Sequence, residues 1–164
     1  MKIKVKLTDG APLPKHVRVG DAGMDLTSRE TVEIAPGGTV MVGTGVWMEI
    51  PDGYYGEIVP RSGMAAKRGI TIANTPGTID SNYRGEIMLP LHNIAPSMRW
   101  VDMSDGAYAW GGVWMRNPDM AVVERGERVA QIIIKRHETC ECVEVDDLSD
   151  TERGAGGFGS SGTK

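Results

Sequence analysis

Short runs in which apolar and polar residues alternate, each closed by glycine or proline, occupy most of this chain, and helical periodicity is almost absent. The runs are Val32-Ile34, Val40-Val42, Val46-Met48-Ile50, Glu57-Ile58-Val59, Ile87 to Leu91, Val129 to Ile134 and Cys142-Val143-Glu144-Val145. An alternation of period two is the mark of strands with one face buried, and Pro-Gly, Gly-Gly and Asp-Gly turns at this spacing belong to sandwiches and barrels. With 22 Gly and 9 Pro among 164 residues, turns are plentiful enough to connect them. A chain of 17.7 kDa closes one core, not two. The expectation is an all-β fold, a jelly roll or distorted β-barrel. One exception is Ser62 to Arg68, predicted as a short helix with Ser62 as N-cap and Gly69 as its stop.

Charge narrows the function classes. Eighteen Lys and Arg against 22 Asp and Glu give −4, which argues against holding nucleic acid by bulk charge but leaves room for a small basic pocket. Met1 to Leu7 alternates charged and apolar residues like an edge strand, without the apolar core of a signal peptide. The longest strongly apolar stretch, Val129 to Ile134, is far short of a membrane span. Cys140 and Cys142 stand too close along an extended chain for an easy disulfide, so a reducing cytoplasm is the simplest compartment. His137 with these cysteines supplies three soft ligands but no fourth, a poor zinc set.

Residues 95–122 differ in texture, with Trp100, Trp110 and Trp114, Met98, Met103, Met115 and Met120, and the turn formers Asp105-Gly106 and Gly111-Gly112. The expected structure is a hairpin whose aromatics pack onto the parent sheet. The alternative is an exposed aromatic and methionine surface for a protein partner.

Three segments carry chemistry. Pro60-Arg61-Ser62-Gly63 ends a strand and opens a helix, where orphan amides and a hydroxyl accept an anion. Asn74 to Gly85 reads as a hairpin around Pro76-Gly77, with Asp80 and Tyr83 three residues apart. A carboxylate held beside an anion site can deprotonate a water for attack on phosphorus. The glycine-rich tail from Arg153 holds the only Phe, Phe158, followed by Ser160 and Ser161. An aromatic face, an Arg, hydroxyls and open amides suit a base and its phosphates, so 153–164 is expected to be a lid on a domain spanning 1–152. A Walker loop is excluded, because Thr-Lys follows Gly162 and no helix can follow.

Five segments, in this order, resemble the trimeric dUTP pyrophosphatase (dUTPase) family: Ala22-Gly-Met-Asp-Leu26, Pro60-Arg-Ser-Gly-Met-Ala65, Gly77-Thr-Ile-Asp-Ser-Asn-Tyr-Arg-Gly85, Glu127-Arg-Val-Ala-Gln131 and Arg153 to Gly162. The resemblance covers nearly the whole chain except 95–122. It implies a jelly-roll homotrimer with active sites shared between chains, hydrolysing dUTP to dUMP and pyrophosphate with Mg²⁺. By position, Asp80 resembles the general base that activates water for attack on the α-phosphorus. Tyr83 resembles the residue beneath the deoxyribose. Asn74, with the backbone at Gly77 and Ile79, corresponds to the edge that reads uracil. Arg61, Ser62, Gly63 and Gln131 match the phosphate contacts, and Asp25 the carboxylate that holds waters of the Mg²⁺. Arg153, Phe158, Gly159, Ser160 and Ser161 match the lid, with Phe158 over uracil.

Two departures stand out. Ser160-Ser161 replaces the commoner Ser-Thr and keeps the hydroxyl. Compact members of the family cross 95–122 with a short turn; insertions there are frequent in phage members, which makes a phage origin an expectation. The rival readings are a dCTP deaminase-like enzyme of the same fold, and a dUTPase-like protein whose insertion binds a regulatory partner.

Overall fold

The computed structural model describes residues 1–8, 10–102 and 112–156. In chain order these form β1 (Lys4–Leu7), β2 (Met24–Thr27), β3 (Val32–Ile34), β4 (Thr39–Gly43), β5 (Val46–Glu49), β6 (Tyr54–Pro60), α1 (Ser62–Arg68), β7 (Ile70–Ile72), β8 (Gly77–Ile79), β9 (Met88–Asn93), β10 (Met98–Asp102), β11 (Gly112–Arg116), β12 (Ala121–Val123) and β13 (Arg128–Arg136). The all-β expectation holds. A four-stranded sheet of order β2-β13-β6-β8 and a three-stranded sheet of order β4-β9-β7 are accompanied by the pairs β1-β5, β12-β3 and β10-β11. Every pairing is antiparallel.

The core draws on both larger sheets. Leu26, Ile58, Ala130 and Ile132 come from the first, and Val42, Ile70, Ile72, Leu89 and Leu91 from the second; all are buried. The alternation that predicted these strands is therefore the pattern that fills the interior. Gly56 shows how tight it is. A β-carbon there would lie 2.7 Å from Ile132 Cδ1 and 3.2 Å from Ile50 Cδ1. Only a residue without a side chain lets β6 approach β13 at this point.

Four expectations need correction. Ser62 is not the N-cap of α1: Arg61 takes that place in extended conformation, no side chain caps the helix, and Ser62 is its first residue. Gly69 does end it, with φ 62 in the left-handed region that glycine enters at little cost. Residues 74–85 are not a hairpin. β7 pairs with β9 and β8 with β6, so the turn around the cis Thr75–Pro76 bond carries the chain from one sheet to the other.

Cys142 to Val145 forms no strand, because nothing among the described residues pairs with it; Val143 and Val145 are exposed. The 95–122 region does form a hairpin, β10 with β11. Its tryptophans, however, do not pack onto the parent sheet. Trp100 and Trp114 face each other edge to face at 5.7 Å, 53% and 64% exposed, with Met98, Met115 and Met120 exposed nearby. A two-stranded ribbon has no second layer to cover them. Trp110 and Met103 lie outside the described residues. Among the described residues no helix is long and apolar enough to cross a membrane.

Candidate active site

The first, second and fourth motifs meet on one face of the four-stranded sheet. Asp25 on β2 is the register partner of Gln131 on β13, which in turn faces Val59 on β6. Gln131 Nε2 donates to Asp25 Oδ1 at 3.1 Å. Arg128 Nη1 donates to Oδ2 at 3.0 Å, and Arg61 Nε lies 3.3 Å from Oδ1. Arg61 also donates through Nη1 to the Arg128 carbonyl at 3.1 Å. The Asp25 side chain is only 10% exposed, so this is a nearly desolvated carboxylate between two guanidinium groups.

Arg128 joins this cluster, and sequence reasoning missed it. Positions 128 and 131 should face opposite sides of a regular strand. A register shift between Arg128 and Ala130 inserts one residue, and Arg128 thereby turns toward Asp25. A carboxylate offers about four acceptor sites, and two hydrogen-bond donors with the Arg61 ion pair already crowd it, which leaves room for about one water. Asp25 is therefore suited to holding a hydrated Mg²⁺ through water and unsuited to direct ligation. Mg²⁺ tolerates that arrangement because it keeps several waters and rides on substrate phosphates.

Beside this cluster, Ser62 and Gly63 open α1 exposed, and a β-carbon at Gly63 would meet nothing within 4 Å. Arg68, at the other end of the helix, pairs with Glu127 and donates to the Val122 carbonyl. These bonds pin α1 to the turn that leads into Gln131. The carboxylate at one strand, the helix start and the Gln thus form one rigid, basic surface fit for phosphate.

The third motif builds a second surface. Asp80 follows β8, which pairs with β6 through Gly56↔Ile79 and Ile58↔Gly77, and places Asp80 beside Tyr55. It is exposed, and lines a cavity of about 330 Å³ with Tyr55, Thr78, Ser81, Asn82 and His137. The Asp80 carbonyl accepts the Tyr83 amide at 3.1 Å, and the Tyr83 hydroxyl donates to the Glu86 carbonyl at 2.9 Å. The ring lies over Gly85, where any β-carbon would collide with it. Gly85 is thus needed to seat Tyr83. Asn74 is exposed, with its amide 3.4 Å from where a β-carbon of the buried Gly77 would stand, and Ile79 is half-buried.

The two surfaces do not meet within one chain. Asp80 stands at the Tyr55 end of β6 and Arg61-Ser62 beyond its Pro60 end. About six strand residues at ~3.3 Å each separate them by ~20 Å. Their shared strand keeps that distance fixed. Arg153 is exposed and folds back on its own segment, with Nε donating to the Gly156 carbonyl at 2.8 Å. Phe158, Gly159, Ser160 and Ser161 lie outside the described residues.

Comparison with known proteins agrees with this motif set. The dUTPase family model matches residues 9–98 and 112–162, leaving out 99–111, which include most of β10. The chain is 44% identical over 157 residues to the deoxyuridine 5'-triphosphate nucleotidohydrolase of Thermobifida fusca, covering 96% of this chain and 76% of that one. It is 43% identical over 163 residues to the enzyme of the same name from Mycobacterium tuberculosis, covering 96% and 92%. Among solved structures it resembles the Staphylococcus bacteriophage 80α dUTPase with dUpNHpp, at 30% identity, TM-score 0.81 and 98% coverage of both chains. That protein is described as controlling transfer of virulence genes by a G protein-like mechanism. A mutant dUTPase from phage phi11 of S. aureus, described as coordinating a structural Mg(II) ion, matches at 27% identity and TM-score 0.71, covering 92% of this chain and 100% of that one. With four of the five motifs placed on a jelly-roll frame and a family model matching most of its length, the chain belongs to the dUTPase family.

Proposed function

We propose that this chain hydrolyses dUTP to dUMP and pyrophosphate, as a homotrimer whose sites combine Asp80 of one chain with the phosphate-binding surface of another. The carrying observation is the ~20 Å between Asp80 and Ser62 along β6. Each surface is half of a site, and a symmetric assembly supplies the other half.

Uracil lies against Asn74 and the backbone at Gly77 and Ile79, with deoxyribose over the Tyr83 ring. The triphosphate lies on Arg61, Ser62, Gly63 and Gln131 of a neighbouring chain. Asp80 takes a proton from a water whose oxygen attacks the α-phosphorus, and the bond to the β-phosphate breaks to release pyrophosphate. Mg²⁺, when bound, neutralises charge on the triphosphate, and Asp25 holds it through water. Positioning and charge stabilisation supply most of the rate. The tail 153–164 closes over the site, with Phe158 on uracil and Arg153, Gly159, Ser160 and Ser161 at the terminal phosphate, and excludes bulk water. The product is the precursor for dTMP, and lowering dUTP keeps uracil out of DNA. A nucleotide-pool substrate and the free, exposed Cys140 and Cys142 support a cytoplasmic setting, that of the host for a phage-encoded chain.

The test is pyrophosphate release from dUTP, dTTP, dCTP and UTP with Mg²⁺, using the full chain and Asp80→Asn. Release from dUTP alone, lost by ~10²–10⁴-fold in Asp80→Asn, is the expected result. Ammonia from dCTP would favour the deaminase alternative. A second reading concerns the β10–β11 hairpin, where the exposed Trp100–Trp114 pair favours an added protein-binding role for a working enzyme.

A further inference from the structure

We infer that His137 is a further substrate-contacting residue, whose imidazole donates a hydrogen bond to the α-phosphoryl group brought to Asp80. The inference rests on Asp80 as the base, and concerns a residue outside all five motifs.

Residue 137 follows the last strand, where its backbone amide donates to the Gly53 carbonyl at 3.1 Å. Its ring stands edge-on to Tyr55, with centroids 6.2 Å apart. Tyr55 is itself tied down: its hydroxyl donates to Glu57 Oε2 at 3.4 Å, and Lys135 Nζ holds both Glu57 oxygens at 2.6 Å. The imidazole thus has a fixed wall behind it and the Asp80 cavity before it. At about 330 Å³ that cavity is lined by six side chains that each carry a polar group, and water occupies ~30 Å³, so a phosphoryl group and several waters fit together.

Charge points the same way. A phosphoryl group arriving at Asp80 brings negative charge to a carboxylate, and the Asp80 side of the site needs a donor to offset it. The other cations near the cavity are engaged. Lys135 is held by Glu57, whose hydrogen bond raises its pKa above the usual lysine value. Arg136 stacks over the Tyr54 ring at 5.9 Å, and Arg84 Nη1 donates to the carbonyls of Ser81 and Tyr83. Arg61 and Arg128 of the same chain stand at the far end of β6 on the Asp25 carboxylate, so only a neighbouring chain's Arg61 reaches this triphosphate. His137 is the one cavity-lining side chain among the described residues that can carry positive charge. A histidine changes charge between about pH 5 and 8, and a protonated donor binds an anion more strongly than a neutral one.

The experiment compares the full-length protein with His137→Ala, His137→Gln and Asp80→Asn, measuring kcat and KM for dUTP with Mg²⁺ at pH 6 and pH 8. His137 is exposed, so none of its substitutions opens the core. His137→Ala should lower kcat about tenfold with KM changed less than about twofold, since the contact strengthens as charge moves in the transition state. His137→Gln keeps a neutral donor. It should recover most of the loss, because its amide can donate from the same place. Wild-type kcat in His137→Ala at both pH values would overturn the inference. So would equal losses in the Ala and Gln variants at both pH values, which would mark a structural role. Turnover retained by Asp80→Asn would instead overturn the base assignment beneath it.

Discussion

Asp25→Asn is the substitution that most sharply probes how the phosphate-binding surface is held. The carboxylate is 10% exposed, accepts from Gln131 and Arg128 at 3.0–3.1 Å and is ion-paired with Arg61 at 3.3 Å. An Asn side chain keeps the volume but removes the charge, and its amide nitrogen faces at least one guanidinium donor without an acceptor between them. Loss of a buried ion-pair partner costs about 3–5 kcal/mol when both groups are desolvated. Here the arginine side chains are 31% and 51% exposed, so water recovers much of their solvation. About 1–3 kcal/mol remains, which for a domain of this size lowers Tm by roughly 3–10 °C. The assay is thermal unfolding at fixed protein concentration without nucleotide, because ligand and assembly both shift Tm. Glu49→Gln is the control. It breaks the exposed Lys4–Glu49 pair, 81% and 46% exposed, and should leave Tm unchanged. A Tm for Asp25→Asn within a degree of wild type would refute the claim that this carboxylate organises the surface.

Gly56→Ala should destabilise the fold by about 1–3 kcal/mol, because its methyl group meets Ile132 Cδ1 at 2.7 Å in a packed interior; an unchanged urea midpoint would refute it. Deleting residues 153–164 should leave the Tm of the barrel in place, since among the described residues no strand lies beyond β13, while turnover falls more than ~10-fold. A truncated protein that hydrolyses dUTP at the full rate would mean that the tail takes no part in turnover.

The fold was legible where burial was one-sided. Val40-Val42, Val46 to Ile50, Ile87 to Leu91 and Val129 to Ile134 alternate because each strand presents one face to the core, and each became a strand. Cys142 to Val145 carries the same alternation without a partner strand, and period alone cannot supply one. The Asn74–Gly85 segment looked like a hairpin because the two ends of a corner and of a hairpin read alike. Which strand each end joins is decided by long-range pairing.

The candidate site divides in the same way. Asp25, Arg61 and Gln131 stand out in the sequence only as parts of separate motifs. Their contact depends on three strands meeting and, for Arg128, on one inserted residue in β13. His137 was visible as a weak metal ligand beside Cys140, whereas its place at the Asp80 cavity follows from the pairing of β6 with both β8 and β13. Trp100 and Trp114 carried the apolar signature of core residues, but a ribbon of two strands gives them only each other.

Mixing two inactive variants tests the shared site directly. Asp80→Asn lacks the base and Ser62→Ala weakens the phosphate surface, so each alone should turn over slowly. After unfolding and refolding the two together at equal amounts, each site draws Asp80 from one chain and Ser62 from the next. About one quarter of the sites then carry both native residues, and dUTP hydrolysis should return to about one quarter of the wild-type rate. Activity no higher than the mean of the two variants alone would mean that both residues serve the same chain's site, contradicting the ~20 Å separation that β6 imposes.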